Sequence, residues 1–267
     1  MSFFETLGDR IATVDSVVSV GLDPDPARLP PSVRDADLPR WAFNRRIIDA
    51  THEYAAAYKP NAAFYEDSDG WRALRETVAY AHGKDVPVLL DAKRADIGNT
   101  ARQYANLLEW VDAITVNPYL GGDSVQPFLS KPEKGVFVLC RTSNAGGGDL
   151  QDLTLEDGPT VYERVADLAA GWNEHGNVGL VVGATAPAEL EALRERVPDL
   201  PFLVPGVGAQ GGDVEAAATA GPADGVGLVN SSRGIIFAGE ESEDWAQAAG
   251  VAAKRLRDRL NEYRDGE

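Results

Sequence analysis

The stretch Val86-Pro87-Val88-Leu89-Leu90-Asp91-Ala92-Lys93-Arg94-Ala95-Asp96-Ile97 sets a short apolar run directly against four charged residues. A run this short, rich in Val and Leu and without strict alternation, reads as a strand buried on both faces of a parallel sheet. Seven similar runs recur along the chain: Val17–Leu22, Ala55–Tyr58, Ala113–Val116, Val136–Leu139, Val178–Val182, Phe202–Val204 and Gly225–Val229. Helical patterns lie between them. In the last, Trp245, Ala248, Ala249, Ala252, Leu256 and Leu260 keep a three-to-four spacing while Lys254, Arg257, Asp258 and Arg259 fall elsewhere. Pro187 stands where a first helical turn should begin after the sixth run.

Eight strand-then-helix units in 267 residues, with no linker-like shift in composition, predict one (β/α)8 barrel of the TIM type spanning residues 1–267 as a single domain. A helix over about 3–13 is expected to cover the barrel and another over about 244–263 to end the chain. A doubly wound open sheet is the competing arrangement. The residues just after each run separate the two: Asp23, Lys59 and Asn61, Asp91 and Lys93, Asn117, Thr142 and Ser143, Thr185, Gln210, Ser231 and Arg233. A barrel gathers these polar ends at one mouth, where active sites form, whereas an open sheet spreads them along a crevice.

Three constellations carry chemistry. In a strand, a period of two turns Asp91 and Lys93 to one side, and Lys59 at the end of the second run stands beside them. Lys59, Asp91, Lys93 and Asp96 in a partly desolvated site can keep Lys93 protonated and aim its proton at a developing carbanion. A structural ion-pair network is the bland alternative, but buried pairs add little net stability, so four charges at one barrel end point to function. The second constellation, Val204-Pro205-Gly206-Val207-Gly208-Ala209-Gln210-Gly211-Gly212 with Asn230-Ser231-Ser232-Arg233-Gly234, suits phosphate. Its glycines admit an oxyanion to backbone N–H groups, a helix is expected to begin near Gly211, and Arg233 offers a two-pronged charged pair. The third, Arg141-Thr142-Ser143-Asn144-Ala145-Gly146-Gly147-Gly148-Asp149, reads as a lid with Ser143 or Asn144 able to meet a polar ring. Asp23 can accept from a sugar hydroxyl or cap the following turn.

Composition narrows the partners. The chain has 42 acidic against 25 basic residues, a formal charge of −17, three histidines far apart and a single cysteine, Cys140. No intramolecular disulfide and no zinc cluster is expected, and the reducing cytosol is the expected, cytoplasmic compartment. Nucleic acid and anionic membranes would be repelled without a basic patch, and no run of Lys and Arg supplies one. Neither a signal peptide nor an apolar stretch of roughly 18 residues is read in the sequence. Few lysines beside many arginines, with Asp exceeding Glu, suggests a halophilic protein whose surface carboxylates are screened by salt.

Together these motifs resemble the orotidine 5′-phosphate decarboxylase family, and more closely its bacterial-type second subfamily. The resemblance spans essentially the whole chain. It rests on Val20-Gly21-Leu22-Asp23-Pro24, Tyr58-Lys59-Pro60-Asn61 with Ala63-Phe64-Tyr65-Glu66, Asp91 to Ile97 with Thr100, Thr142-Ser143-Asn144, Pro205 to Gly212, and Ser231-Ser232-Arg233-Gly234. The Asp-x-Lys-x-x-Asp spacing behind a Lys-Pro-Asn is its most specific part. The resemblance implies conversion of orotidine 5′-phosphate to UMP and carbon dioxide in de novo pyrimidine biosynthesis, with no metal and no organic cofactor. It implies Lys93 as proton donor to C6 and Asp91 beside the departing carboxylate. Lys59 would bind the ribose and hold the array, and Asp23 a ribose hydroxyl; Asn61 falls among the expected substrate-binding residues. Asp96 and Thr100 would reach across from the second subunit of a homodimer, Ser143 would meet the pyrimidine, and Gln210, Gly211, Arg233 and Gly234 would grip the phosphate.

Two other readings stand beside it. A metal-dependent decarboxylase or aldolase acting on sugar phosphates would share Asp-x-Lys-x-x-Asp but needs an extra acid where this chain has Lys59. A phosphate-binding module without catalysis needs Arg233 and the glycine loop but gives no reason for Lys59, Asp91, Lys93 and Asp96.

Overall fold

A computed structural model describes residues 1–156, 158–207, 212–240 and 242–264. Each apolar run becomes a strand: β1 Val18–Leu22, β2 Ala57–Pro60, β3 Leu89–Arg94, β4 Ala113–Val116, β5 Gly135–Arg141, β6 Val178–Val182, β7 Phe202–Pro205 and β8 Leu228–Ser231. All pair in parallel, in the order β2-β1-β8-β7-β6-β5-β4-β3. Parallel bridges Tyr58↔Val88 and Asn61↔Asp91 join the two ends of that order. An open sheet would leave β2 and β3 as edges, so this is a barrel.

Three strands are displaced from their apolar runs, and each shift has a local cause. β2 moves toward the mouth because it pairs with β1 in the register Gly21↔Lys59, which carries the ladder past the apolar residues. β8 begins only at Leu228, because Asp224 and Gly225 both take positive φ (47° and 78°) in a tight turn closed by the Ala223↔Val226 bridge. β3 runs on through Asp91 and Lys93, but its register with β4 shifts between Leu90 and Arg94.

Helix Phe3–Val14 opens with a capping box in which Ser2 and Glu5 bond each other's backbone, and it buries Phe3, Leu7 and Ile11. Phe3 lies edge-on to Phe137 of β5, ring centroids 6.1 Å apart, against the Cα of Gly135, where a side chain would collide with the ring. This helix therefore packs at the strands' N-terminal ends. Helix Pro187–Arg196 follows β6 with Pro187 in its first turn. Helix Trp245–Arg264 packs on helix Pro39–Thr51, where Trp245 stacks on Phe43 at 5.0 Å and Gly250 allows close approach to the Ala50 carbonyl.

Candidate active site

At the C-terminal ends of the strands lies a cavity of about 400 Å³. Asp23 follows β1, Lys59 and Asn61 come from the end of β2, Asp91 and Lys93 from β3, Thr142, Ser143 and Asn144 follow β5, and Asn230 to Arg233 end β8. Leu139, Val181, Leu203 and Val207 form an apolar wall. A parallel barrel points every strand's C-terminal end to one mouth, which is why residues more than 200 positions apart share one cavity.

Lys59, Asp91 and Lys93 form one array. Lys59 is only 4% exposed, and its Nζ donates to Asp91 Oδ2 at 3.0 Å. Lys93 Nζ donates to Asp91 Oδ1 at 2.5 Å, with its own side chain 48% exposed. Burial by itself would raise the Asp91 pKa, but the Lys59 and Lys93 charges and their hydrogen bonds outweigh it and hold the carboxyl well below the usual carboxylate range. Burial likewise works against the Lys59 ammonium, yet Asp91, and then Asp23, raise its pKa above the ordinary value. Asp91 and Lys59 are thus both ionised across the neutral range. Lys93 does not reach it by simple strand alternation, however. Its φ is +49°, a left-handed conformation that costs a residue with a side chain about 1–2 kcal/mol.

Asp23 follows β1, the strand paired with β2, and its charge also acts on Lys59. It accepts a short hydrogen bond from the Ser232 hydroxyl, and its Oδ1 is buried without a partner among the described residues. Asp25, not Asp23, caps the following turn, accepting from the Ala27 amide at 3.0 Å. Gly21 makes the Asp23–Ser232 contact possible, since a Cβ there would overlap the Ser232 hydroxyl. Asn61 lines the cavity while its Oδ1 caps its own turn by accepting from the Ala63 amide at 3.1 Å.

Arg233 lines the cavity, is exposed, and makes no ion pair among the described residues. Gly234 follows it in the first turn of helix Arg233–Ile236 and is exposed. Gln210 and Gly211 lie outside the described residues. What is described of their loop is a turn at Gly206 (φ +100°) and a bridge Val207↔Gly212. The next helix begins at Val214, not near Gly211, and the Asp213 carboxylate already caps it by accepting from the Ala216 amide at 3.0 Å. A carboxylate there opposes an anion, so this helix end is not the expected phosphate cradle.

After β5 the chain folds into two short helical turns, Ala145–Gly147 and Gly148–Gln151. Gln151 Oε1 accepts from the Thr142 amide at 2.9 Å and from Arg141 Nη1 at 3.2 Å, which ties the segment back to the end of β5. Ser143 packs against Gly183 of the neighbouring connection, where a Cβ would come within 2.8 Å. Asp96 and Thr100 do not line the cavity. Asp96 Oδ1 accepts from the Ile97 amide at 2.8 Å, and Thr100 is exposed in helix Gly98–Ala105.

The model of the orotidine 5′-phosphate decarboxylase / HUMPS family matches residues 16–248. The chain belongs to this family. An orotidine 5′-phosphate decarboxylase of Halorubrum lacusprofundi is 74% identical over 99% of this chain and all of its own length. One from Ralstonia nicotianae is 48% identical over the same shares. Among solved structures, Leishmania donovani OMP decarboxylase superposes with a TM-score of 0.84 and 44% identity, each chain covered in full.

Two polar residues that hold this candidate site escape a reading by motif. Thr115, inside the apolar run of β4, is 1% exposed and bonds both Asp91 and the Lys93 amide. Ser232 fastens Asp23 to β8. The available signal was a lone hydroxyl within a buried strand, which is as common in structural hydrogen bonds as in sites. Among the described residues no three His, Cys, Asp or Glu side chains gather as a metal group. The ammonium of Lys59, beside Asp91, disfavours a divalent cation at that carboxylate.

Proposed function

We propose that the chain converts orotidine 5′-phosphate to UMP and carbon dioxide with its own side chains, Lys93 delivering the proton to C6. The observation that carries this reading is a carboxylate, Asp91, held between two ammonium groups at the wall of a cavity of about 400 Å³. Breaking the C6–carboxylate bond leaves its electron pair on C6, in an orbital no adjacent carbonyl can delocalise. A fixed ammonium at C6 stabilises that charge as it develops. Transfer of a Lys93 N–H proton to C6 completes UMP and leaves a neutral amine, which solvent reprotonates through the exposed side of Lys93.

Asp91 would stand beside the departing carboxylate, with Lys59 and Asp23 on the ribose hydroxyls; the buried, unpartnered Asp23 Oδ1 supports an acceptor role. Asn61 lies close enough along β2 to join them. Ser143 would meet the pyrimidine. Arg233, with Gly234, Gln210 and Gly211, would bind the phosphate, and the exposure of Arg233 without an ion-pair partner among the described residues supports this. The cavity wall carries three cations, Lys59, Lys93 and Arg233, against two carboxylates, Asp23 and Asp91, in a chain of net charge −17. A doubly anionic substrate thus meets a locally favourable field.

Asp96 and Thr100 would complete the site of a second subunit in a homodimer. They sit outside this chain's cavity, and Ile97 between them is exposed, as are Tyr119 and Leu120 on the segment after β4. Mixing Lys93→Ala with Asp96→Ala subunits should restore activity lost in each alone; mixed dimers without recovery would refute the shared site. The cytosol is the compartment we assign: Cys140 is a free buried thiol whose pKa burial pushes up to about 12. No helix among the described residues is long and apolar enough to cross a membrane. High salt fits both the acidity and relatives at 73–74% identity from Halobacterium salinarum and Halorubrum lacusprofundi. Spectrophotometric loss of orotidine 5′-phosphate in high salt, unchanged by a chelator, tests the whole reading. Turnover that requires a divalent cation would favour the metal-dependent alternative.

A further inference from the structure

We infer that Thr115 is a positioning residue for catalysis, its single hydroxyl holding both Lys93 and Asp91 in their working geometry. The inference rests on the proposed proton transfer from Lys93. Regular pairing between β3 and β4 lapses between Leu90 and Arg94, which releases the Lys93 amide from the ladder. An amide withdrawn from the ladder in a partly buried place is unfavourable without an acceptor, and this one donates to Thr115 Oγ1 at 2.9 Å. The same hydroxyl donates its proton to Asp91 Oδ1 at 2.9 Å. That oxygen is also the one Lys93 Nζ contacts at 2.5 Å. The hydroxyl thus closes a ring: Lys93 backbone to Thr115, Thr115 to Asp91, Asp91 to the Lys93 ammonium.

The ring explains how Lys93 is kept at φ +49°. A left-handed lysine would relax toward an extended strand unless its surroundings over-determine it. Relaxation would re-aim the side chain and shift the ammonium from the position in which it meets Asp91 Oδ1. Thr115 is 1% exposed and does not line the cavity, so its effect on substrate runs through the two charged residues and not by contact.

The test compares three variants by steady-state kinetics and by binding of UMP. Thr115→Val keeps the branched shape but removes donor and acceptor. It should lower kcat by roughly 10- to 100-fold, the scale for a catalytic group misplaced by about 1 Å, with KM and UMP affinity within about twofold. Thr115→Ser retains the hydroxyl and should keep kcat within about threefold of the parent. Thr115→Cys, with a weak donor, should fall between, and it takes the place of Thr115→Val if that variant does not fold. A Thr115→Val enzyme with parental kcat, or a Thr115→Ser enzyme as slow as Thr115→Val, would overturn the inference. Lys93→Ala run alongside separates the two readings: full turnover without Lys93 defeats the proton-donor assignment itself, whereas an inactive Lys93→Ala beside a fully active Thr115→Val defeats only the role of Thr115.

Discussion

The two sides of the barrel mouth handle charge in opposite ways. At the β2–β3 side, Lys59 and Lys93 are already paired with Asp91, and Lys59 is buried. At the β8 end, Arg233 is exposed and makes no ion pair among the described residues. A pre-paired array is rigid and orients a proton without reorganising when substrate arrives, which serves chemistry. An open guanidinium keeps its charge for an incoming anion, which serves binding. Under the proposed function this difference would put rate on one side and affinity on the other.

Substitutions can break that division. The largest effect is expected from Lys93→Ala, which should reduce kcat by at least about 3 kcal/mol of transition-state stabilisation, read in single-turnover assays. Near-parental turnover would end the division at once. Lys59→Met removes a buried partner of Asp91 and should lower unfolding stability by about 3 kcal/mol, the low end for breaking a buried pair because Lys93 and Thr115 still hold Asp91. Urea titration measures this, and a silent substitution would show the array contributes nothing to the fold. Arg233→Ala should do the reverse, leaving stability within about 0.5 kcal/mol while weakening phosphate binding by about 1.5–3 kcal/mol, seen as a raised KM. Loss of kcat with unchanged KM would contradict the affinity role.

The pH response sharpens the same contrast with a smaller effect. Asp91 faces Lys59 and Lys93, and Lys59 faces Asp91 and Asp23. The lowered Asp91 pKa contributes stability that is present above the ordinary carboxylate value of about 3.9 and is lost as pH falls through the folded value. The raised Lys59 pKa contributes stability present below about 10.4 and lost as pH rises through the folded value. Between those limits Asp91 and Lys59 should add no slope to urea-unfolding free energy, and a step near neutrality abolished by Lys59→Met would show that the pair does titrate there. Removing salt should act on the outer acidic surface and lower the melting temperature. Full stability at low ionic strength would remove the halophilic reading and leave the site untouched.

Much of the site was legible because the chemistry sits where strands end. Asp23, Lys59, Asn61, Asp91, Lys93, Ser143 and Arg233 each follow or close an apolar run, and all of them line one cavity. Asp96 and Thr100 belong to the same motif by spacing, yet they do not line that cavity, because the chain after β3 leads into helix Gly98–Ala105. Thr115 was invisible for the opposite reason: its neighbours in sequence are apolar, and its partners come from the next strand.

By itself the sequence determined the eight strand-and-helix units, their parallel burial and the clustering of polar groups at one end, since hydrophobic runs and their charged ends are local properties. Only the tertiary structure decided the closure of β2 onto β3, the register lapse that turns Lys93 left-handed, and the Thr115 hydroxyl that bridges it to Asp91. Those features depend on which strand lies beside which and in what register, and pairing between strands is not written in either strand alone.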